Sequence, residues 1–96
     1  MFSADDLELF REVARRGSLT GAAQQLRVDQ TTVGRHMNKL ERSVGERLFD
    51  RKRDGWRLTD AGIRLLGYAE AVHASVLLAQ EEYRDPTKTL SGSVRV

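Results

Sequence analysis

The residues best suited to chemistry lie between Gln30 and Arg42. Gln30, Thr31, Thr32, Arg35, Asn38, Lys39 and Arg42 bring amides, hydroxyls and cations, and no carboxylate intervenes before Glu41. Threaded among them, Val33, Met37, Leu40 and Val44 are spaced four, three and four residues apart. That spacing gathers the apolar set on one face of a helix and leaves the polar set on the other. A face of hydrogen-bonding and cationic groups suits the base edges on the floor of a DNA major groove. The expected chemistry is therefore recognition rather than bond breaking.

Other chemistries find little support. His36 and His73 fall on different expected helices, with no nearby acidic residue and no second ligand at a metal-binding spacing. His36 reads as solvent- or phosphate-facing and His73 as a helix-interface residue. No glycine-rich phosphate loop and no catalytic constellation appears, so the sequence points away from an enzyme and implies no cofactor in this segment. The chain has no cysteine, hence no disulfide or thiolate metal site, which fits a cytoplasmic protein. No run of about 20 apolar residues could span a membrane, and no signal segment opens the chain.

The recognition face needs a scaffold, and the flanking residues supply one. Ser18 can cap a short helix that carries Leu19, Ala22, Ala23 and Leu26 on one face. Its small alanines let a second helix approach closely. Arg27, Val28 and Asp29 form a tight connection, and Asp29 caps the helix that begins at Gln30. The pair has the layout of a helix-turn-helix. Two short amphipathic helices also occur in helical domains with no DNA role, so the flanks and the charge must carry part of the argument.

Upstream, a supporting helix is expected from about Asp5 to Arg16. Ser3 is its candidate cap, acidic residues fill its first turn, and Gly17 can stop it in a left-handed conformation. Downstream, Gly45 ends the second helix of the motif. Residues 48–58 then read LFDRKRDGWRL, a basic hairpin around Asp54-Gly55. Such a hairpin is a wing that can lie along the DNA backbone or dip into the minor groove. Arg53 sits closest to DNA, while Arg51 more readily braces the hairpin through Asp50 or Glu46. Trp56 reads as the apolar anchor beneath the wing rather than as a base-stacking group.

Thr59 can cap a final helix that runs to about Arg84 and stops at Asp85-Pro86. Leu65, Ala69, Val72, Val76, Ala79 and Tyr83 recur at spacings of four, three, four, three and four, a coiled-coil seam. The end near Ile63 should pack on the head. The far end needs a partner, most simply the same helix of a second copy. Residues 86–96 read as a hinge followed by the start of a strand, as in the N-terminal fragment of a longer protein.

Charge supports this layout. The net charge is only +2, but residues 27–57 hold nine basic and five acidic side chains, against two and five in residues 58–85. Positive charge thus concentrates on the second helix of the motif and the hairpin, as phosphate binding would require.

The order of these pieces resembles the N-terminal domain of LysR-type transcriptional regulators. The resemblance runs from Leu7 to about Tyr83, through Leu7-Glu8-Leu9-Phe10, Gly17-Ser18-Leu19-Thr20, Gln30-Thr31-Thr32-Val33-Gly34-Arg35, Gly45-Glu46-Arg47-Leu48-Phe49-Asp50-Arg51 and Leu58-Thr59-Asp60-Ala61-Gly62. It implies a mainly α fold, a winged helix-turn-helix over 1–58, a linker or dimerisation helix over 59–85, and a hinge over 86–96. The implied DNA contacts are Ser18, Thr20, Gln30, Thr31, Thr32, Arg35, Asn38, Arg42, Arg51 and Arg53. Partners implied are double-stranded DNA and a second copy, as homodimer or tetramer, with no membrane. A small-molecule effector is implied only for a C-terminal domain. Two departures stand out: the family often has proline where this chain has Thr31, and serine where it has Gly34. Gly34 offers no side chain, which puts base reading on Gln30, Thr31, Thr32, Arg35 and Asn38. The layout is also similar to molybdate-responsive winged-helix regulators, although Leu48-Phe49-Asp50-Arg51 favours the LysR type. A dimerisation module that ignores DNA is the reading from another class.

Overall fold

Residues 1–84 are described by the computed structural model. The expected stop at Asp85-Pro86 and the hinge and strand start over 86–96 lie outside the described residues. The elements are α1 (Ala4–Arg16), α2 (Leu19–Leu26), α3 (Gln30–Val44), β1 (Phe49–Lys52), β2 (Gly55–Leu58) and α4 (Asp60–Arg84).

Local chemistry sets these boundaries as expected. The Asp6 carboxylate accepts the Ser3 N–H at 2.8 Å while the Asp6 N–H meets the Ser3 hydroxyl, a reciprocal capping box. Gly17 closes α1 at φ 71°. The Ser18 hydroxyl accepts the Gly21 N–H at 3.0 Å, and Asp29 caps α3 by accepting the Thr31 N–H at 3.2 Å. Arg27 ends α2 at φ 58°, a left-handed position filled without glycine.

One core unites the first three helices and the hairpin. Phe10, Val13, Ala22, Val33, Met37, Leu40, Leu48 and Phe49 are essentially sealed from water. Rings run through it: Phe10 lies 5.3 Å from Phe49, and Phe49 lies 5.3 Å from Trp56, both pairs tilted. Trp56 is half-buried and anchors the wing, as its size suggested.

The wing turns one residue earlier than the Asp54-Gly55 reading placed it. Strands β1 and β2 are antiparallel with Lys52 opposite Gly55, so Arg53 and Asp54 form the loop. Neither takes a positive φ, so this is not the primed turn that a central Asp-Gly pair would make. The cause is an outside contact. The Trp56 N–H donates to the Gly17 carbonyl at 2.9 Å, which pins the start of β2 against the α1–α2 turn. Gly55 is held there at φ 150°, where a Cβ would sit 3.2 Å from that same oxygen.

Helix α4 departs most from expectation. Its start is fixed by Thr59, whose hydroxyl accepts the Gly62 N–H at 3.1 Å and donates to the Arg47 carbonyl at 2.6 Å. At about 1.5 Å per residue its 25 residues run nearly 40 Å, and the molecule measures 52 × 26 × 21 Å. Leu65, Ala69 and Val72 pack against the chain's own core, with Ala69 only 1% exposed. Helix α1 packs against α4 here, so Ala69 is closed to a partner and Leu65 and Val72 are partly covered. Arg11 meets Glu70 at 2.5 Å and His73 Nδ1 lies 2.9 Å from Glu8, so ionisable pairs flank the apolar contact. His73 thus finds its acidic partner, Glu8, across this interface on another helix. Ile63, expected on the head, is instead 58% exposed. Beyond the head, Val76, Ala79 and Tyr83 remain exposed. Among the described residues no helix is long and apolar enough to cross a membrane.

Candidate nucleic-acid interface

The polar face of α3 is turned outward. Gln30, Thr31, Arg35, Asn38, Lys39 and Arg42 are all exposed. Beside that face lies a concave groove of about 810 Å³. One wall is α3, through Gln30, Thr31, Gly34, Arg35 and Asn38, and the other is the wing, through Arg51 and Trp56. Leu19 of α2 leans over Gly34, where a Cβ would stand 3.4 Å from its methyl.

Not every expected reader faces this groove. Thr32 is half-buried, donates its hydroxyl to Asp29 at 3.2 Å, and lines the opposite flank with His36. Thr20, from the first turn of α2, donates its hydroxyl to the Gln30 amide oxygen at 3.1 Å. Ser18, Thr20 and Gln30 share a smaller cleft with Lys52 and Arg53 at the wing tip. Arg42 lies further along α3, on the flank that carries Arg35 and Lys39.

The wing is fastened to α3 by a residue that sequence reasoning passed over. One Glu41 oxygen accepts the backbone N–H groups of Leu48 and Phe49 at 2.8 and 3.3 Å, and the other meets Arg51 at 2.7 Å. Arg51 then lies over the Trp56 ring, 4.4 Å from its centroid. Arg51 is thus a brace, as expected, but its partner is Glu41 and not Asp50 or Glu46. The reason is distance through space: the close of α3 and the first residues of β1 lie side by side around Gly45. The available signal was the pair of N–H groups at Leu48, just before the ladder, and Phe49, its first residue, which need an acceptor.

The remaining cations are free. Among the described residues Arg35, Lys39, Arg42, Lys52 and Arg53 pair with no carboxylate, whereas Arg51 and Arg57 do, with Glu41 and Asp54. Arg35 lines the groove, Lys52 and Arg53 the wing-tip cleft, and Lys39 and Arg42 the far flank of α3, so these cations surround the exposed face of that helix.

Residues 4–63 match the model of the bacterial regulatory helix-turn-helix proteins of the lysR family. This chain belongs to the LysR family. A curated relative, the HTH-type transcriptional regulator YofA of Bacillus subtilis (strain 168), is 40% identical over 91 residues, which cover 95% of this chain and 32% of the relative. HdfR of Yersinia enterocolitica is 41% identical over 76 residues, covering 79% of this chain and 26% of the relative. The LysR-family chain thus spans about a third or less of the length of such relatives. Among solved structures it is similar to the CbnR DNA-binding domain in complex with DNA, with a TM-score of 0.76 and 30% identity over 86% of this chain and 95% of that one. The BenM DNA-binding domain shares the fold, with a TM-score of 0.79. These likenesses favour the LysR reading over the molybdate-responsive one.

Proposed function

We propose that this chain is the DNA-binding segment of a LysR-type transcriptional regulator that works as a homodimer. The observation that carries the proposal is the exposed polar face of α3 beside the wing, flanked by the unpaired cations Arg35, Lys39, Arg42, Lys52 and Arg53. A helix with its side chains is about 10–12 Å across and fits a major groove about 12 Å wide. With α3 seated there, Thr31, Arg35 and Asn38 reach base edges from its exposed face, and Gln30 does so from its first turn. Lys52 and Arg53 at the wing tip meet the backbone or the adjacent minor groove, and Ser18 and Arg42 border phosphates. The CbnR DNA-binding domain, a similar domain solved in complex with DNA, supports this reading.

The dimer rests on α4, through a surface different from the expected seam. Ile63, Gly67, Ala71, Ala74 and Leu78 recur at spacings of four, four, three and four, and all are exposed. They form a stripe on the side of α4 turned away from the head. Its small central residues let a second helix come close, while Val76, Ala79 and Tyr83 continue the line of Leu65, Ala69 and Val72 on the opposite side of α4. In an antiparallel pair, the far end of one helix lies over Ile63 and Gly67 of the other. A cytoplasmic location accords with this role. No cofactor is proposed for this segment, and the small-molecule response belongs in the length of the relatives that the chain does not span.

Selection of bound sequences from random DNA, followed by fluorescence anisotropy at several salt concentrations, tests the proposal. An enriched site with two symmetric halves and affinity that falls steeply with salt is expected. Failure to enrich any sequence, with the dimer intact, would leave the chain a dimerisation module.

A further inference from the structure

The amide of Gln30 is already engaged before any DNA arrives. Its Oε1 accepts the Thr20 hydroxyl at 3.1 Å, across the α2–α3 junction. Nothing on α3 itself competes for that amide. The residue one turn on is Gly34, without a side chain, and Asp29 is occupied by the Thr31 N–H and the Thr32 hydroxyl. Gln30 is exposed and stands where the large groove and the wing-tip cleft meet, so its free edge opens toward a docked duplex.

We infer that Thr20 is a positioning residue for base choice: by holding the Gln30 oxygen it turns the two amide N–H donors toward the DNA. This rests on the reading that α3 enters a major groove. A free glutamine prefers adenine, because its oxygen accepts from N6 while its nitrogen donates to N7. That bidentate contact needs both ends of the amide. With the oxygen turned toward Thr20, Gln30 presents donors alone. Donors alone suit acceptor edges, namely O6 and N7 of guanine or O4 of thymine, and gain nothing from the adenine amino group.

The test is a binding panel with the 96-residue chain on its selected site, each base pair of one half-site replaced in turn by the other three. Gln30→Ala first locates the base pair that Gln30 reads, as the position where preference flattens. At that position the parent chain should favour guanine or thymine on the contacted strand. Thr20→Val, which keeps the shape and removes the hydroxyl, should shift the ratio of adenine to the preferred base by about tenfold, the size of one well-made hydrogen bond. Thr20→Ser should keep the parent profile. Equal weakening of Thr20→Val on all four bases would overturn the inference and make Thr20 a phosphate contact. So would a parent preference for adenine that survives Thr20→Val. If Gln30→Ala flattens no position, the major-groove placement of Gln30 fails as well, a result distinct from failure at Thr20 alone.

Discussion

Replacing Glu41 by alanine should cost more stability than any other exchange on the polar side of α3. Its carboxylate serves two backbone N–H groups whose residues, Leu48 and Phe49, are both 0% exposed. Without it these donors have no acceptor, and water cannot reach them easily. A hydrogen bond to a charged group is worth roughly 1.5–3 kcal/mol. The 2.8 Å bond to Leu48 belongs in that range, and the 3.3 Å bond to Phe49 falls below it. Arg51 loses its partner too, but its side chain is 28% exposed, so solvent screens much of that loss. The whole comes to about 3–5 kcal/mol, the usual cost of removing one member of a largely buried pair. For a domain of this size each kcal/mol lowers Tm by about 4–8 °C, so a fall of roughly 12–40 °C is expected in a circular dichroism melt. Glu41→Gln keeps one carbonyl acceptor for Leu48 and should lose only about 1–2 kcal/mol. Both variants release Arg51 from the ring of Trp56, the only tryptophan, so its fluorescence should change. Asp50→Ala and Glu46→Ala, at exposed sites, should stay within about 0.5 kcal/mol of the parent. A Glu41→Ala chain that melts within about 3 °C of the parent would refute the reasoning, as would an equal loss at Asp50.

Other exchanges test other joints. Gly62→Ala would place a Cβ 2.2 Å from the Leu48 carbonyl oxygen, a backbone atom that cannot swing aside, and should destabilise by about 2 kcal/mol or more in urea unfolding. Arg53→Ala should weaken specific and non-specific DNA alike and lower the salt slope by about one per wing bound; an unchanged slope would take the wing tip off the phosphates. Arg35→Ala should cost about 1–3 kcal/mol and relax preference at one base pair of each half-site, whereas uniform weakening on all sequences would make it a backbone contact. Ala71→Asp with Leu78→Asp should yield a monomer in sedimentation at tens of micromolar with an intact fold, while Val72→Asp should unfold the head. A persistent dimer in the first case would move the interface off the outer stripe.

The scaffold was largely legible in the sequence because its signals are local. Ser3, Gly17, Ser18, Asp29, Gly45 and Thr59 act on neighbours a few residues away, and the four-three-four spacing of Val33, Met37, Leu40 and Val44 declares its own buried side. What escaped depends on contacts between distant segments. Glu41 looked like one more charge on α3 until β1 folded beside it. The wing turn moved by one residue because Gly17, far back in the chain, holds Trp56. The seam on α4 misled for a different reason: that helix is apolar on two sides. Spacing reports an apolar stripe but not what covers it, so Leu65, Ala69 and Val72 read as a dimer surface while α1 was the nearer partner. Ile63, Gly67, Ala71, Ala74 and Leu78 repeat as regularly, but their small residues gave a weaker signal.

This double allegiance of α4 bears on how two heads could read one operator. Leu65, Ala69 and Val72 bind its first half to the core, with Arg11–Glu70 and Glu8–His73 at the margins. The first half of α4 is therefore packed on the head along its length. In the proposed dimer, the separation of the two α3 helices is then set by the register in which the α4 helices pair. A slip of seven residues would move each head about 10 Å along its partner. That is about three base pairs at 3.4 Å each, close to a third of a helical turn, and it would turn one recognition helix off the face its twin reads. Register must therefore be fixed by side-chain shape. The outer stripe has the means: Gly67, Ala71 and Ala74 allow close approach at its centre, and the bulkier Ile63 and Leu78 at its ends resist sliding past small neighbours. Half-site spacing, on this argument, is written in α4 and not in the recognition helix.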